Sequence, residues 1–130
     1  MNYQSLSLKL AFGLGLLGFI SSIATIPVFA ADCILKDAAS FDSCKDKTVK
    51  GSGPRVGMFD VPEHFALADP NFTGGSGLQD YMAIDKIQVI LHTKEEVQCP
   101  EKIEVTGTLK QMELEGGKAW VITVTGFKCL

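Results

Sequence analysis

The sequence predicts a mainly β domain of about a hundred residues, preceded by the helical apolar stretch of an export signal. Three observations point there. The first thirty residues are apolar and almost free of charge. All four cysteines fall after them. Near the C-terminus two runs of alternating apolar and polar residues flank Gly116-Gly117, which is the pattern of a β-hairpin.

The opening segment carries one charge between Leu6 and Ala31, at Lys9. The run from Leu10 to Ile20 is apolar apart from glycines. Ser21, Ser22, Thr25 and Pro27 follow, and the segment closes on Val28-Phe29-Ala30-Ala31. A weakly positive start, an apolar stretch, a helix breaker and small residues at the end are the layout of a cleaved signal peptide. Cleavage after Ala30 or Ala31 divides the chain into a signal peptide, 1–31, and one domain, 32–130. The competing reading is an uncleaved anchor, since the apolar stretch approaches the roughly 20 residues that span a bilayer. Pro27 and the hydroxyl residues near its end favour cleavage. A lipid on Cys33 is disfavoured by Asp32, which stands where a small neutral residue is wanted. The expected location is periplasmic or secreted, with no membrane attachment after cleavage.

Cleavage removes Lys9 and leaves 11 basic against 15 acidic residues. That balance argues against nucleic acid, whose partners need a clustered positive surface. It also removes a polybasic route to lipid.

In an exported domain of this size, Cys33, Cys44, Cys99 and Cys129 read as two disulfides. Three pairings exist, and Cys33–Cys44 with Cys99–Cys129 is favoured. If the hairpin turns near Gly116, paired residue numbers sum to roughly 230. Cys129 then faces about position 102, and a modest bend at Pro100 brings Cys99 within bonding range. Zinc is the alternative, but the cysteines lack the close pairing of zinc ligands.

Ala38 to Phe41 suits a helical turn held by Cys33 and Cys44. Thr48 and Val49 suit a strand, with Gly51 and Gly53 marking a bulge or bend. Pro62 to Leu67 reads as a short helix with Pro in its first turn. Asp69-Pro70-Asn71 and Thr73 to Gly77 are turn residues. A strand from Tyr81 runs into a bend, and Ile87 to His92 is a second strand with Ile87, Val89 and Leu91 on one face. Lys94 to Gln98 suits a helical turn. Ile103, Val105, Gly107 and Leu109 alternate with polar residues, as do Trp120, Ile122 and Val124.

This order is a strand with glycines, a long loop, central strands, a short link and a hairpin. On Ile103-Glu104-Val105-Thr106-Gly107-Thr108-Leu109, Ala119-Trp120-Val121-Ile122-Thr123-Val124 and Thr48-Val49-Lys50-Gly51, the chain resembles the small exported OB-fold-like domains of bacteria, most of which have no assigned activity. The resemblance is one of pattern and centres on Asp80 to Leu130. It implies a small five-stranded OB-like Greek-key barrel with short helical turns. A two-sheet sandwich is the alternative for a chain of this size.

No catalytic grouping is legible, and no cofactor motif occurs. His64 and His92 are the only histidines, and no serine stands in a nucleophile elbow. The glycine-rich stretches lack the ending of a phosphate loop. Asp69, Asn71, Thr73, Gly74 and Asp80 follow the register of a calcium loop over 69–80. Ser76 and the shortness of Asp80 depart from it, and no helix is expected to follow. The loop from Arg55 to Gln79 also carries Phe59, His64, Phe65 and Phe72, which form a ligand surface or pack over the barrel. Packing is favoured, because so small a domain needs the buried area.

The expectation is therefore an exported, non-enzymatic binding or accessory module, with a protein or small ligand held by the 55–79 loop through Arg55, Phe59, His64, Phe65 and Phe72. The alternative is a calcium-binding exported domain.

Overall fold

A computed structural model describes residues 32–130. The signal segment assigned to 1–31 lies outside them. Among the described residues no helix is long and apolar enough to cross a membrane.

Six strands and two short helical pieces make up the domain: β1 (Cys33–Ile34), α1 (Ala38–Ser43), β2 (Thr48–Pro54), a 3₁₀ helix (Glu63–Ala68), β3 (Leu78–Ile84), β4 (Ile87–Thr93), β5 (Lys102–Leu114) and β6 (Gly117–Cys129). The strands form one sheet in the order β1-β2-β5-β6-β4-β3. Five strands were expected. The sixth is β1, a two-residue strand parallel to β2. The Cys33–Cys44 disulfide ties it to α1, and the Asp37 side chain caps that helix in a reciprocal box with Ser40.

The hairpin follows the expected register. Leu114 faces Gly117 and Gln111 faces Trp120. A bulge at Thr106/Gly107 then shifts the pairing by one, so Ile103 faces Cys129. That shift places Cys129 near Cys99, and the two are bonded with Cα atoms 5.1 Å apart. The favoured cysteine pairing is thus the one present. At the bulge a side chain on Gly107 would meet the Thr123 carbonyl oxygen at 2.1 Å, so glycine is required where β5 crosses β6 so closely.

One expectation is extended and one corrected. The strand from Tyr81 and the second strand from Ile87 are both present, and they pair across the expected bend as a β3–β4 hairpin over Leu78 to Thr93. Its turn is Asp85-Lys86, both with positive φ (49° and 71°), a conformation rarely signalled by this residue pair. Residues 94–98 form no helical turn. They carry the chain from β4 towards Cys99, whose disulfide fixes their far end.

The sheet curls, and its two sides bury two cores. The larger, inside the curl, joins Val49, Met82, Val89, Leu91, Ile103, Val105, Leu109 and Ile122. Phe41 of α1 closes one end of it against Trp120, with ring centroids 5.4 Å apart. The smaller core lies outside, where Phe65 and Ala68 pack on Tyr81, Ile90, Ala119 and Val121.

The expected five-stranded barrel is not closed: among the described residues no ladder joins the two sides of the curl. β2 and β3 meet in a single antiparallel bridge, Arg55 to Met82, supported by the Val56 amide donating to the Tyr81 carbonyl at 3.0 Å.

Candidate functional site

Beyond the Arg55–Met82 bridge, the segment that follows β2 parts from the start of β3. The gap between them opens a cleft of about 540 Å³, reached by Arg55, Met58, Leu78, Asp80, Thr93 and Val97. Strand alternation explains why polar groups sit there. Leu78 and Asp80 share a face with Met82, and Thr93 shares a face with Val89 and Leu91. That face is the inside of the curl. Asp80 and Thr93 are therefore the first polar side chains met at the open end of the larger core.

The guanidinium of Arg55 links two segments at the cleft. Nη1 donates to the Cys99 carbonyl at 2.7 Å, and Nη2 donates to Asp80 Oδ2 at 2.5 Å. Asp80 Oδ1 accepts from the Tyr81 amide. Arg55 thereby joins the exit of β2, the start of β3 and the disulfide-bonded Cys99. The pair is only partly exposed, with side chains at 30% and 18%, so both members must be paired to be tolerated there.

Two buried polar atoms at the same cleft have no protein partner: Arg55 Nε and Thr93 Oγ1. Thr93 is 4% exposed. Buried hydroxyls are nearly always hydrogen-bonded, and each exception calls for an explanation. Thr93 also reaches a second opening, between the end of β4 and residues 124–127 of β6, where the β4–β6 pairing has ended at His92–Thr123.

The residues expected to form a ligand loop divide. Arg55 lies in the cleft. Phe65 is buried in the outer core, as the packing reading favoured. His64 stacks edge-on against Phe65 at 5.1 Å and sits over the Gly116-Gly117 turn, away from Arg55. Phe59 and Phe72 are 92% and 69% exposed and join neither core. Of the calcium-register residues, Asp69, Asn71 and Asp80 reach the cleft. Asp69 accepts from the Asn71 amide, Asp80 is held as described, and the Thr73 hydroxyl donates to the Pro70 carbonyl. Among the described residues no three His, Cys, Asp or Glu side chains gather in a group able to hold a metal ion.

His92 has a structural task. Its Nε2 lies 2.8 Å from Gln79 Oε1. The Gln79 amide donates onward to the Phe65 carbonyl at 2.8 Å and to the Tyr81 hydroxyl at 3.0 Å. This chain fastens the 3₁₀ helix to β3 and β4. Gln79 escaped the sequence reading because a single glutamine beside a glycine-rich loop resembles solvent-facing polarity. Burial lowers the His92 pKa below 6.5, against opposing effects of the Ala68 backbone and the Asp69 charge. The unfolded chain therefore binds the proton more readily. The stability that neutral His92 contributes is present above pH 6.5 and is lost as pH falls through the lowered folded value. A falling melting temperature between pH 7 and 5.5, reduced in His92→Gln, is the expected result; equal slopes in both proteins would refute it.

Searches against protein-family models, curated proteins and solved structures find no match to this chain.

Proposed function

We propose that this chain is an exported, non-enzymatic binding module of the OB type, taking its ligand in the cleft between residues 55–58 and the start of β3. Three features support the OB reading. Leaving β1 aside, β2, β3 and β4 follow one another as neighbours, β4 lies parallel to β6, and β5 sits between β6 and β2. That is the order of a partly open Greek-key barrel of five strands. The two disulfides are consistent with an oxidising, periplasmic or secreted setting.

The OB comparison would direct attention to the outer face of β3 and β4. Here Phe65 and Ala68 cover that face, which leaves the open end of the curl as the accessible concavity. The observation that carries the reading is Thr93: a hydroxyl kept buried and unpaired in a residue that lines the cleft. An apolar residue of the same shape would be better for stability alone.

Thr93→Val is the test. It is expected to stabilise the domain by about 1 kcal/mol, raising the melting temperature by roughly 4–8 °C, while weakening binding. Binding is read by amide chemical shifts of the oxidised domain titrated with amines, amino acids and disaccharides. Shifts gathered on Arg55, Leu78, Asp80 and Thr93, and diminished in Thr93→Val, support the proposal. If no compound moves these residues, the cleft is not a ligand site.

A further inference from the structure

We infer that the cleft accepts a lysine or arginine side chain presented by an apolar segment of a partner protein; this rests on the cleft being the binding site proposed above. The charges on the cleft walls set the sign. Arg55 and Asp80 neutralise each other. Asp69 and Glu96 remain on the walls, and neither belongs to any ion pair among the described residues. Arg55 is the one basic residue lining the cleft. A ligand entering it therefore meets uncompensated negative charge.

Carboxylates alone would not define a site. The independent sign is Thr93, which lines the cleft and whose hydroxyl is buried and without a partner. A hydroxyl can accept from an ammonium or guanidinium group, so an incoming cation supplies the bond that Thr93 lacks. The walls also suit a long aliphatic stem. Val56, Leu78 and Val97 line the cleft together with Thr93, and lysine and arginine carry the methylene chain that packs on such surface.

The rim points to a peptide as the bearer of the cation. Met58 and Leu78 are exposed at the cleft. Phe59 directly follows Met58 in the chain and Phe72 directly follows Asn71, and both are largely exposed. A small amine would leave these side chains in water, whereas apolar residues beside a lysine would cover them.

The experiment titrates the oxidised domain with three peptides while amide shifts are followed: acetyl-Leu-Lys-Leu-amide, its norleucine analogue and its glutamate analogue. The lysine peptide is expected to move Leu78, Thr93 and Val97, and to bind more tightly than either analogue. Its affinity should fall with added salt. Asp69→Asn and Glu96→Gln should each weaken it about two- to fivefold, the range for charges near the surface. The norleucine analogue should be indifferent to both substitutions, and the glutamate analogue should lose none of its affinity to either. If the norleucine or glutamate peptide binds the cleft as tightly as the lysine peptide, the preference for a cation is wrong while the cleft remains a binding site. If none of the peptides moves the cleft but a compound of the wider panel does, the peptide assignment falls alone. Silence from peptides and panel together overturns both proposals.

Discussion

Replacing Cys99 and Cys129 together by serine is expected to destabilise the domain by roughly 3–4 kcal/mol. The bridge closes a loop of 30 residues in sequence separation, and the entropy removed from the unfolded chain grows with loop length. The shorter Cys33–Cys44 bridge spans 11 and should be worth about 3 kcal/mol by the same reasoning. Total stability for a domain of this size is commonly 5–15 kcal/mol, so losing the longer bridge removes a large share of it. The consequence reaches the cleft as well. Cys99 is buried in the main core, and its carbonyl accepts from Arg55. With the bridge gone, the 94–98 link has no covalent anchor at its far end. Arg55 would then lose a bond that positions it against Asp80. Denaturant unfolding of the Cys99→Ser/Cys129→Ser protein against the Cys33→Ser/Cys44→Ser protein is the check. A smaller loss for the longer bridge would contradict the loop-length argument.

What the sequence conceals here follows a physical division. The C-terminal hairpin was legible because period-two alternation and a Gly-Gly turn act locally, and each residue's face follows from its number. The Cys99–Cys129 pairing was legible for the same reason, once a register had been assumed. The bend at Asp85-Lys86 was legible as the break between two β-rich runs, but not its conformation, because two ordinary polar residues are held at positive φ by the hairpin around them. The cleft was hidden more deeply. Arg55, Asp80, Thr93 and Cys99 are scattered through the chain, and only the curl of the sheet brings them together. In sequence Arg55 reads as part of a loop, yet its role depends on one antiparallel bridge that no local pattern announces. Thr93 ends a strand and reads as an unremarkable β-branched residue. Its lack of a partner is a property of the packed end of the core. Phe65 and Phe72 illustrate the same limit. Both are loop aromatics, and only the fold decides that one is buried and the other bare.

The approach of β2 to β3 depends on a residue that has no side chain. A Cβ placed on Gly53 would lie 1.9 Å from the Ala83 carbonyl oxygen and 3.1 Å from the carbonyl carbon. Those are backbone atoms of a strand paired along its length with β4, so they cannot move aside as a side-chain tip could. Gly53→Ala is therefore expected to force the seam apart at a cost of about 3 kcal/mol, the upper part of the range for overpacking. Gly51→Ala supplies the control. It lies two residues earlier on the same strand, and its Cβ would meet Ile84 Cδ1 at 2.5 Å. That atom is the end of a flexible side chain, so the cost should be nearer 1 kcal/mol. Both substitutions change the strand's intrinsic preference equally, and the difference between them isolates the backbone approach at the seam. The same difference should appear in the cleft. Gly53 stands two residues before Arg55, and spreading the seam there would break the Arg55–Met82 bridge and draw the guanidinium from Asp80. Amide shifts of Tyr81, whose N–H is bonded to Asp80, should change markedly in Gly53→Ala and little in Gly51→Ala. Equal stability losses and an unmoved Tyr81 amide would mean that β2 and β3 are held together by something other than this close approach.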